Sequence, residues 1–258
     1  MSRCPFLIKK NGERLFCLSP DNPSGKPGLE IDYKQIDTYR IDTNKCTING
    51  GSSCEYNFDH NNKQKYGGGA PLFCERIWVN PLDCKMAMIF EPPVFNYMLS
   101  GQVIEDQWPP KQVRQVIPVL ELQKVQHCID RWCNHLEWHL TGAYDFLKES
   151  IDKFGQYDRC STFKEVEERY RKLDLIFAQV KKEGRLRPSQ EIDPAIFRER
   201  RGIFVHIGPG NELYVGGGGI HRFAIAYILS LPVMPAKIGY VHRSAIPFLD
   251  KLRNEGAQ

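Results

Sequence analysis

No stretch of this chain reaches the ~18 consecutive apolar residues of a membrane-spanning helix. The opening Met1-Ser2-Arg3-Cys4-Pro5-Phe6-Leu7-Ile8-Lys9-Lys10 carries too short an apolar run for a secretory signal. Together the two absences predict a cytoplasmic protein with no membrane partner. Charge of one sign is also lacking: 35 Lys plus Arg against 31 Asp plus Glu leave +4, which does not by itself call for nucleic acid. A mixture of 41 % hydrophobic and 26 % charged residues excludes a disordered tail, a collagen-like repeat and a coiled-coil rod.

Several chemical signatures are missing as well. The nine cysteines, Cys4, Cys17, Cys46, Cys54, Cys74, Cys84, Cys128, Cys133 and Cys160, include no Cys-x-x-Cys pair, so free thiols are expected over a zinc or redox centre. Tyr66-Gly67-Gly68-Gly69-Ala70 lacks the Gly-Lys-Ser/Thr ending of a phosphate-binding P-loop and predicts a solvent-exposed linker. His127, Arg131, His135 and His139 recur every four residues, but Leu136 stands where the base of a His-Glu-x-x-His site belongs. They are read as surface or partly buried groups, with no metal expected.

What is present divides the chain in three. Residues 1–110 are irregular, with turn signals at Asp21-Asn22-Pro23-Ser24-Gly25 and Asn49-Gly50-Gly51-Ser52 and short strands at 14–18 and 76–79. Residues 111–184 are helical. From Pro118 to Phe146 the apolar positions Val119, Leu122, Val125, Ile129, Trp132, Leu136, Leu140 and Tyr144 repeat at three or four, which predicts one long helix with Pro118 in its first turn. A second helix is predicted by Phe163, Val166, Tyr170, Leu173, Ile176, Phe177 and Val180, opened by a Thr162/Glu165 capping box and closed by Gly184. Residues 185–258 read as a compact α/β unit. It has strands at 202–207, 213–215 and 236–241, a turn at Pro209-Gly210-Asn211, and a helix from about His221 to Leu229 that Pro232 stops.

The strongest chemical feature lies in that unit. Tyr214-Val215 runs into Gly216, Gly217, Gly218 and Gly219, and a helix begins at once with Ile220-His221-Arg222-Phe223. The first turn of a helix leaves amide N–H groups unpaired, and the helix field favours an anion there. Glycines let the backbone approach a phosphate closely. Arg222 is a candidate bidentate phosphate ligand, and His221 a candidate donor or proton carrier near neutrality. The spacing does not fit a dinucleotide fingerprint, because Gly239 and Tyr240 occupy the region where a ribose-binding acid belongs.

Three segments carry a family resemblance: Gly210-Asn211-Glu212-Leu213-Tyr214-Val215, Gly218-Gly219-Ile220-His221-Arg222-Phe223-Ala224-Ile225-Ala226, and Met234-Pro235-Ala236-Lys237-Ile238. They resemble the core of the ParB/sulfiredoxin superfamily, in which a Gly-x-His-Arg or Gly-Glu-Arg-Arg segment begins the helix that holds nucleotide phosphates. The resemblance implies an α+β fold, with a ParB/sulfiredoxin-like C-terminal domain preceded by long helices and an irregular N-terminal region. The segment from Gly101 to Trp108 and the helix containing Tyr170 also resemble ParB-like proteins of phages and microbes. Ile220 stands where sulfiredoxins carry their reactive cysteine, so sulfiredoxin chemistry is not expected. Partitioning proteins carry Glu-Arg in place of Ile220-His221 and add a helix-turn-helix, for which too few residues follow His242.

Among the activities of that superfamily, a small-molecule kinase using ATP or another nucleotide with Mg²⁺ survives this filter. Phosphoryl transfer needs phosphate positioning and a carboxylate near the acceptor hydroxyl. The resemblance to free-serine kinases points to Glu191 as base, although a surface salt bridge is the plainer expectation for it. Arg187, His242 and Arg243 are further candidates to face the nucleotide. Residues 161–201 hold 11 Lys or Arg against eight Asp or Glu, which makes nucleic acid a possible but not favoured partner. A ParB-like DNA-binding protein or nuclease, or a phage-associated interaction protein without catalysis, are the alternatives.

Overall fold

The computed structural model describes residues 7–10, 14–17, 29–31, 55–90, 100–194, 196 and 198–255. Its first elements are β1 (Leu7–Lys10), β2 (Arg14–Cys17), β3 (Leu29–Ile31), α1 (Glu55–Tyr66), β4 (Arg76–Val79), β5 (Met86–Phe90), β6 (Val103–Ile104) and β7 (Val113–Pro118). Three helices follow, α2 (Gln123–Trp132), α3 (Ala143–Phe154) and α4 (Phe163–Glu183), then the single turn α5 (Ser189–Ile192). The chain continues through β8 (Ile203–Ile207), β9 (Leu213–Gly216), α6 (Ile220–Ile228), β10 (Met234–His242) and α7 (Leu249–Asn254). The turn signals at 21–25 and 49–52 lie outside the described residues.

β1, β2 and β3 form a small antiparallel sheet. The main sheet is open and mixed, ordered β4-β10-β8-β9-β5-β7, with β6 pairing the far end of β10. β10 runs parallel to β8 and β6 and antiparallel to β4; β8 and β9 form an antiparallel hairpin. β9 is parallel to β5, which is antiparallel to β7. The result is a mixed α+β fold. The three-part division of the sequence does not separate the sheet, because strands from residues 76–118 flank those from 203–242 on both sides.

β8 is buried over its whole length, as expected for a strand covered on both faces. Ile203, Val205 and Ile207 join the core beneath the helices, with Val215, Ala236, Ile238, Phe223 and Ile225. On the opposite face, Phe204 and His206 lie parallel at 6.2 Å, and His206 also meets the rings of Phe90 and Tyr240. This face was not anticipated.

The long helix expected from Pro118 to Phe146 is broken in the structure. Pro118 ends β7 instead of opening a helix, and α2 stops at Trp132. His135 takes φ +59° and Gly142 φ +80°, left-handed conformations that no continuous helix tolerates. The histidines 127, 135 and 139 therefore do not share one helical stripe. The second helix does match: Thr162 Oγ1 accepts from the Glu165 amide, the Glu165 carboxylate accepts from the Thr162 amide, and Gly184 ends α4 at φ +67°. α1 arises in the region read as irregular; Gly67 and Gly68 after it are exposed, but the end of this glycine segment is held, since Arg253 of α7 donates to the carbonyls of Gly69 and Ala70.

The helical layer is drawn together by one carboxylate. Asp174 of α4 accepts from the indole N–H groups of Trp132 (2.9 Å) and Trp138 (3.0 Å) and from the Arg131 guanidinium (3.0 Å). Trp132 also stacks on Phe177, and Trp138 lies against Tyr170. Of the periodic positions Val119 and Val125 are buried and Trp132 is half-buried, whereas Leu136 and Leu140 are exposed, and the buried Trp138 lies outside the repeat. Asp174→Ala strips two indoles of their acceptor, while Arg131 keeps Glu137 and the Leu136 carbonyl, and should cost about 1–3 kcal/mol, the range for leaving a buried donor unpaired. Urea unfolding checks it, with Asp174→Asn, which keeps one acceptor oxygen, expected to lose less.

Candidate functional site

The glycine run is built where backbones cross too closely for side chains. Gly216 ends β9, and a Cβ there would stand 2.3 Å from the Met88 carbonyl oxygen of β5. Gly219 has φ +76°, and a Cβ would stand 2.6 Å from Ile203 Cα at the start of β8. Gly217 is also left-handed, at φ +75°. Gly218 differs, since its nearest neighbour is the edge of the Phe204 ring at 3.4 Å, an ordinary contact. Its carbonyl accepts from the Phe204 amide at 3.2 Å, so the turn stays fastened to β8. Gly219 is the N-cap of α6 and supplies no capping side chain. The first amides of α6 thus open toward the turn with no side chain capping them.

Arg222 underpins this turn from below. Its Nη2 donates to the Arg187 carbonyl at 2.8 Å, its Nη1 reaches the Arg201 carbonyl at 3.5 Å, and Nη1 lies 3.9 Å from Glu199 Oε1. Burial lowers its basicity and Glu199 partly restores it. Glu199 is fully buried and accepts from the amide and hydroxyl of Ser189 at 3.0 and 2.6 Å. Arg222 is therefore the bolt that holds segment 187–201 against the start of α6.

Beside it, Lys237 of β10 is buried at 3 % exposure, donates to the Arg200 carbonyl at 2.8 Å and sits 3.5 Å over the Phe204 ring. Burial brings its ammonium down to about 8, against the pull of Cys74 and Glu199. Two carbonyls of segment 198–202 thus receive two cations, Lys237 buried and Arg222 half-buried. Sequence reasoning missed Glu199 and Lys237 as parts of the site. The available signal was a charged residue inside an apolar strand, Lys237 in Met234-Pro235-Ala236-Lys237-Ile238.

The other expected site residues are scattered. His221 turns inward, 6 % exposed, with its ring edge-on to Tyr170 at 5.8 Å. Glu191 is exposed and held by Arg185 at 2.8 and 3.2 Å, the surface salt bridge considered as the plainer expectation. The Arg187 side chain is paired with Glu183, while its carbonyl meets Arg222. His242 and Arg243 do not join the glycines. Gly216 lies beside the start of β8, whereas His242 follows Val241, which pairs with Ile207 at its other end. From Ala236, level with Ile203, to His242 is about 20 Å of strand. There His242 Nδ1 meets Ser244 Oγ at 2.8 Å, near Trp108. Among the described residues no group of three His, Cys, Asp or Glu is placed to hold a metal ion, and no helix is long and apolar enough to cross a membrane.

Two buried imidazoles give the fold a pH signature. Burial lowers His206 and His221 to about 3 each. A depressed folded value means that the unfolded chain binds protons first. Stability is therefore full above the unfolded value of about 6.5 and falls as pH drops from there toward 3. The expected loss is about 1.4 kcal/mol per histidine per pH unit in that window. Urea midpoints measured between pH 7 and 5 check this, and a flat profile above the carboxylate range would contradict it.

Compared with known protein families, curated proteins and solved structures, the chain matches none.

Proposed function

We propose that the turn Gly216–Gly219 and the first amides of α6 bind the phosphate of a nucleotide, accompanied by Mg²⁺, in the manner that the ParB/sulfiredoxin resemblance implies. The observation that carries the reading is a helix start left without a side-chain cap at the end of a strand and a turn whose backbone is fixed by close crossings. Such a start offers unpaired N–H groups and a positive helix end, and ordering of the turn beforehand reduces the entropy lost on binding. Mg²⁺ would come with the phosphates, as it is commonly held through them by few protein ligands.

The reading is one of binding. Phosphoryl transfer to a small-molecule acceptor needs a base beside the acceptor, and in this conformation Glu191 and His221 have other surroundings, Arg185 and Tyr170. A nucleic-acid partner draws less support. Arg185, Arg187, Arg198 and Arg201 face Glu191, Glu183, Asp59 and Asp193, which neutralises much of the basic segment that suggested it.

Gly218 supplies the cleanest test. It lacks a left-handed φ and meets only the Phe204 edge, so Gly218→Asp places a carboxylate in the turn with little strain on the fold. Calorimetric titration with ATP, ADP, CTP and GTP, each with Mg²⁺, should show binding to wild type and at least a tenfold loss in Gly218→Asp, at least about 1.4 kcal/mol. Arg222→Ala should weaken binding too, but with a drop in stability, since it releases segment 187–201. Absence of binding to every nucleotide would overturn the proposal.

A further inference from the structure

On the inner side of α6, away from the glycine turn, four polar atoms are buried with no protein partner: His221 Nε2, Tyr170 Oη, Arg169 Nε and His127 Nδ1. They come from α6, α4 and α2, and the tight turn at 157–160 joins them. In that turn Asp158 and Arg159 are left-handed, and Tyr157 and Cys160 exchange backbone hydrogen bonds. Asp158 is the centre of the group. Its Oδ2 lies 2.5 Å from Lys124 Nζ and 3.5 Å from Arg169 Nη2. Burial opposes its charge, but Lys124 and Arg169 outweigh that and hold the carboxyl below its usual range. The charges acting on His221 are Lys124, Asp158, Arg169 and His127; those acting on Tyr170 include Asp158 and Arg169. Three of the four residues with unpaired atoms, His221, Tyr170 and Arg169, thus lie in the field of one ion-paired acid.

Tyr170 is fully buried and His221 nearly so, yet their rings meet edge to face, and neither polar atom reaches the other. A buried polar group left unpaired is destabilising, so several in one place call for an occupant. The chemistry of the surroundings selects it. Arg169 Nε only donates, Tyr170 Oη donates or accepts, and a neutral imidazole nitrogen presents either a lone pair or an N–H. An anion would face the Asp158 carboxylate and give nothing to an imidazole lone pair. A cation would face Lys124 and Arg169. A neutral molecule with both donors and acceptors satisfies every group.

We propose that this cluster is an internal hydration site, where ordered water bridges His221 to Tyr170 and Arg169 and so ties the first turn of α6 to α4. Water accepts from Arg169 and Tyr170 and donates to a neutral imidazole, within the two to four bonds that buried waters make. The site does not depend on the phosphate reading, because it rests on side chains of α2, α4 and α6, whereas that reading rests on backbone amides.

The test is a high-resolution crystal structure of the wild-type protein together with thermal unfolding of Tyr170→Phe. That variant keeps the ring and its packing and removes only the hydroxyl. The expected result is an ordered water within about 3.2 Å of His221 Nε2 and of Tyr170 Oη or Arg169 Nε, and a melting temperature about 2–4 °C lower in Tyr170→Phe. An unsatisfied hydroxyl behaves oppositely, since its removal leaves stability unchanged or raises it. Absence of such a water, direct pairing of these groups with one another, or a Tyr170→Phe protein that melts at or above the wild-type temperature would each overturn the proposal.

Discussion

The bulge in β10 is the constraint on which the main sheet depends. Between Ile238 and Val241 the register with β8 shifts by one residue, which leaves an amide without a ladder partner. His206 supplies the missing acceptor, as its Nδ1 takes the Tyr240 N–H at 2.9 Å. With Nδ1 accepting, the proton of the neutral ring resides on Nε2, which points to the Gly216 carbonyl at 3.4 Å. The imidazole thereby links β8, β10 and the end of β9. Position 239 has no room for a side chain, since a Cβ would stand 2.3 Å from the same nitrogen. One buried histidine thus sets both the shape of the strand and the residue allowed opposite it.

That bulge also determines what β10 can gather. Before it, the strand pairs with β4, and after it with β6. At the bulge itself, the Gly239 carbonyl accepts from the Gly101 amide, and the Ile238 carbonyl accepts from Ser100 Oγ. Segments far apart in sequence meet along one strand, which is why the sheet cannot be cut at residue 185. The local pattern revealed β2, β4, β8, β9 and β10 but not β5, β6 or β7, the last of which falls in the part read as helical, and nothing local revealed which strands pair. Strand order is a property of non-local pairing, and neither the length nor the apolarity of 76–79 or 113–118 marks it as a neighbour of the last third.

Where the sequence was legible, a single short-range mechanism decided the structure. The capping box at Thr162 and the left-handed stop at Gly184 framed α4, because both act within one turn of helix. The strand–glycine–helix order at 213–228 was legible for the same reason. Where it was not, two mechanisms competed. The apolar repeat from 119 to 144 has helical spacing, yet Asp174 draws the indoles of Trp132 and Trp138 to one point, which a straight helix cannot do. Tertiary hydrogen bonding overrode periodicity there. Buried charges were hardest to foresee. Glu199 and Lys237 are stabilised by carbonyls and hydroxyls that only the folded segment 187–202 brings near them.

The same geometry explains why four consecutive residues of a motif do not share one task. Successive side chains on a helix diverge by about 100°, so Gly219, Ile220, His221 and Arg222 cannot all face one ligand. In this chain His221 points into the helical layer and Arg222 toward segment 187–201, and the outer side of the turn is left to backbone. A phosphate site there would be made of amides, with side chains fixing those amides in place instead of touching the ligand. His221 and Arg222 would then act as positioning residues. Their substitution would act through the order of the turn, and a charge introduced at Gly218 would act on the ligand directly. The division follows from helical twist alone, and so would hold for any anion bound at the turn.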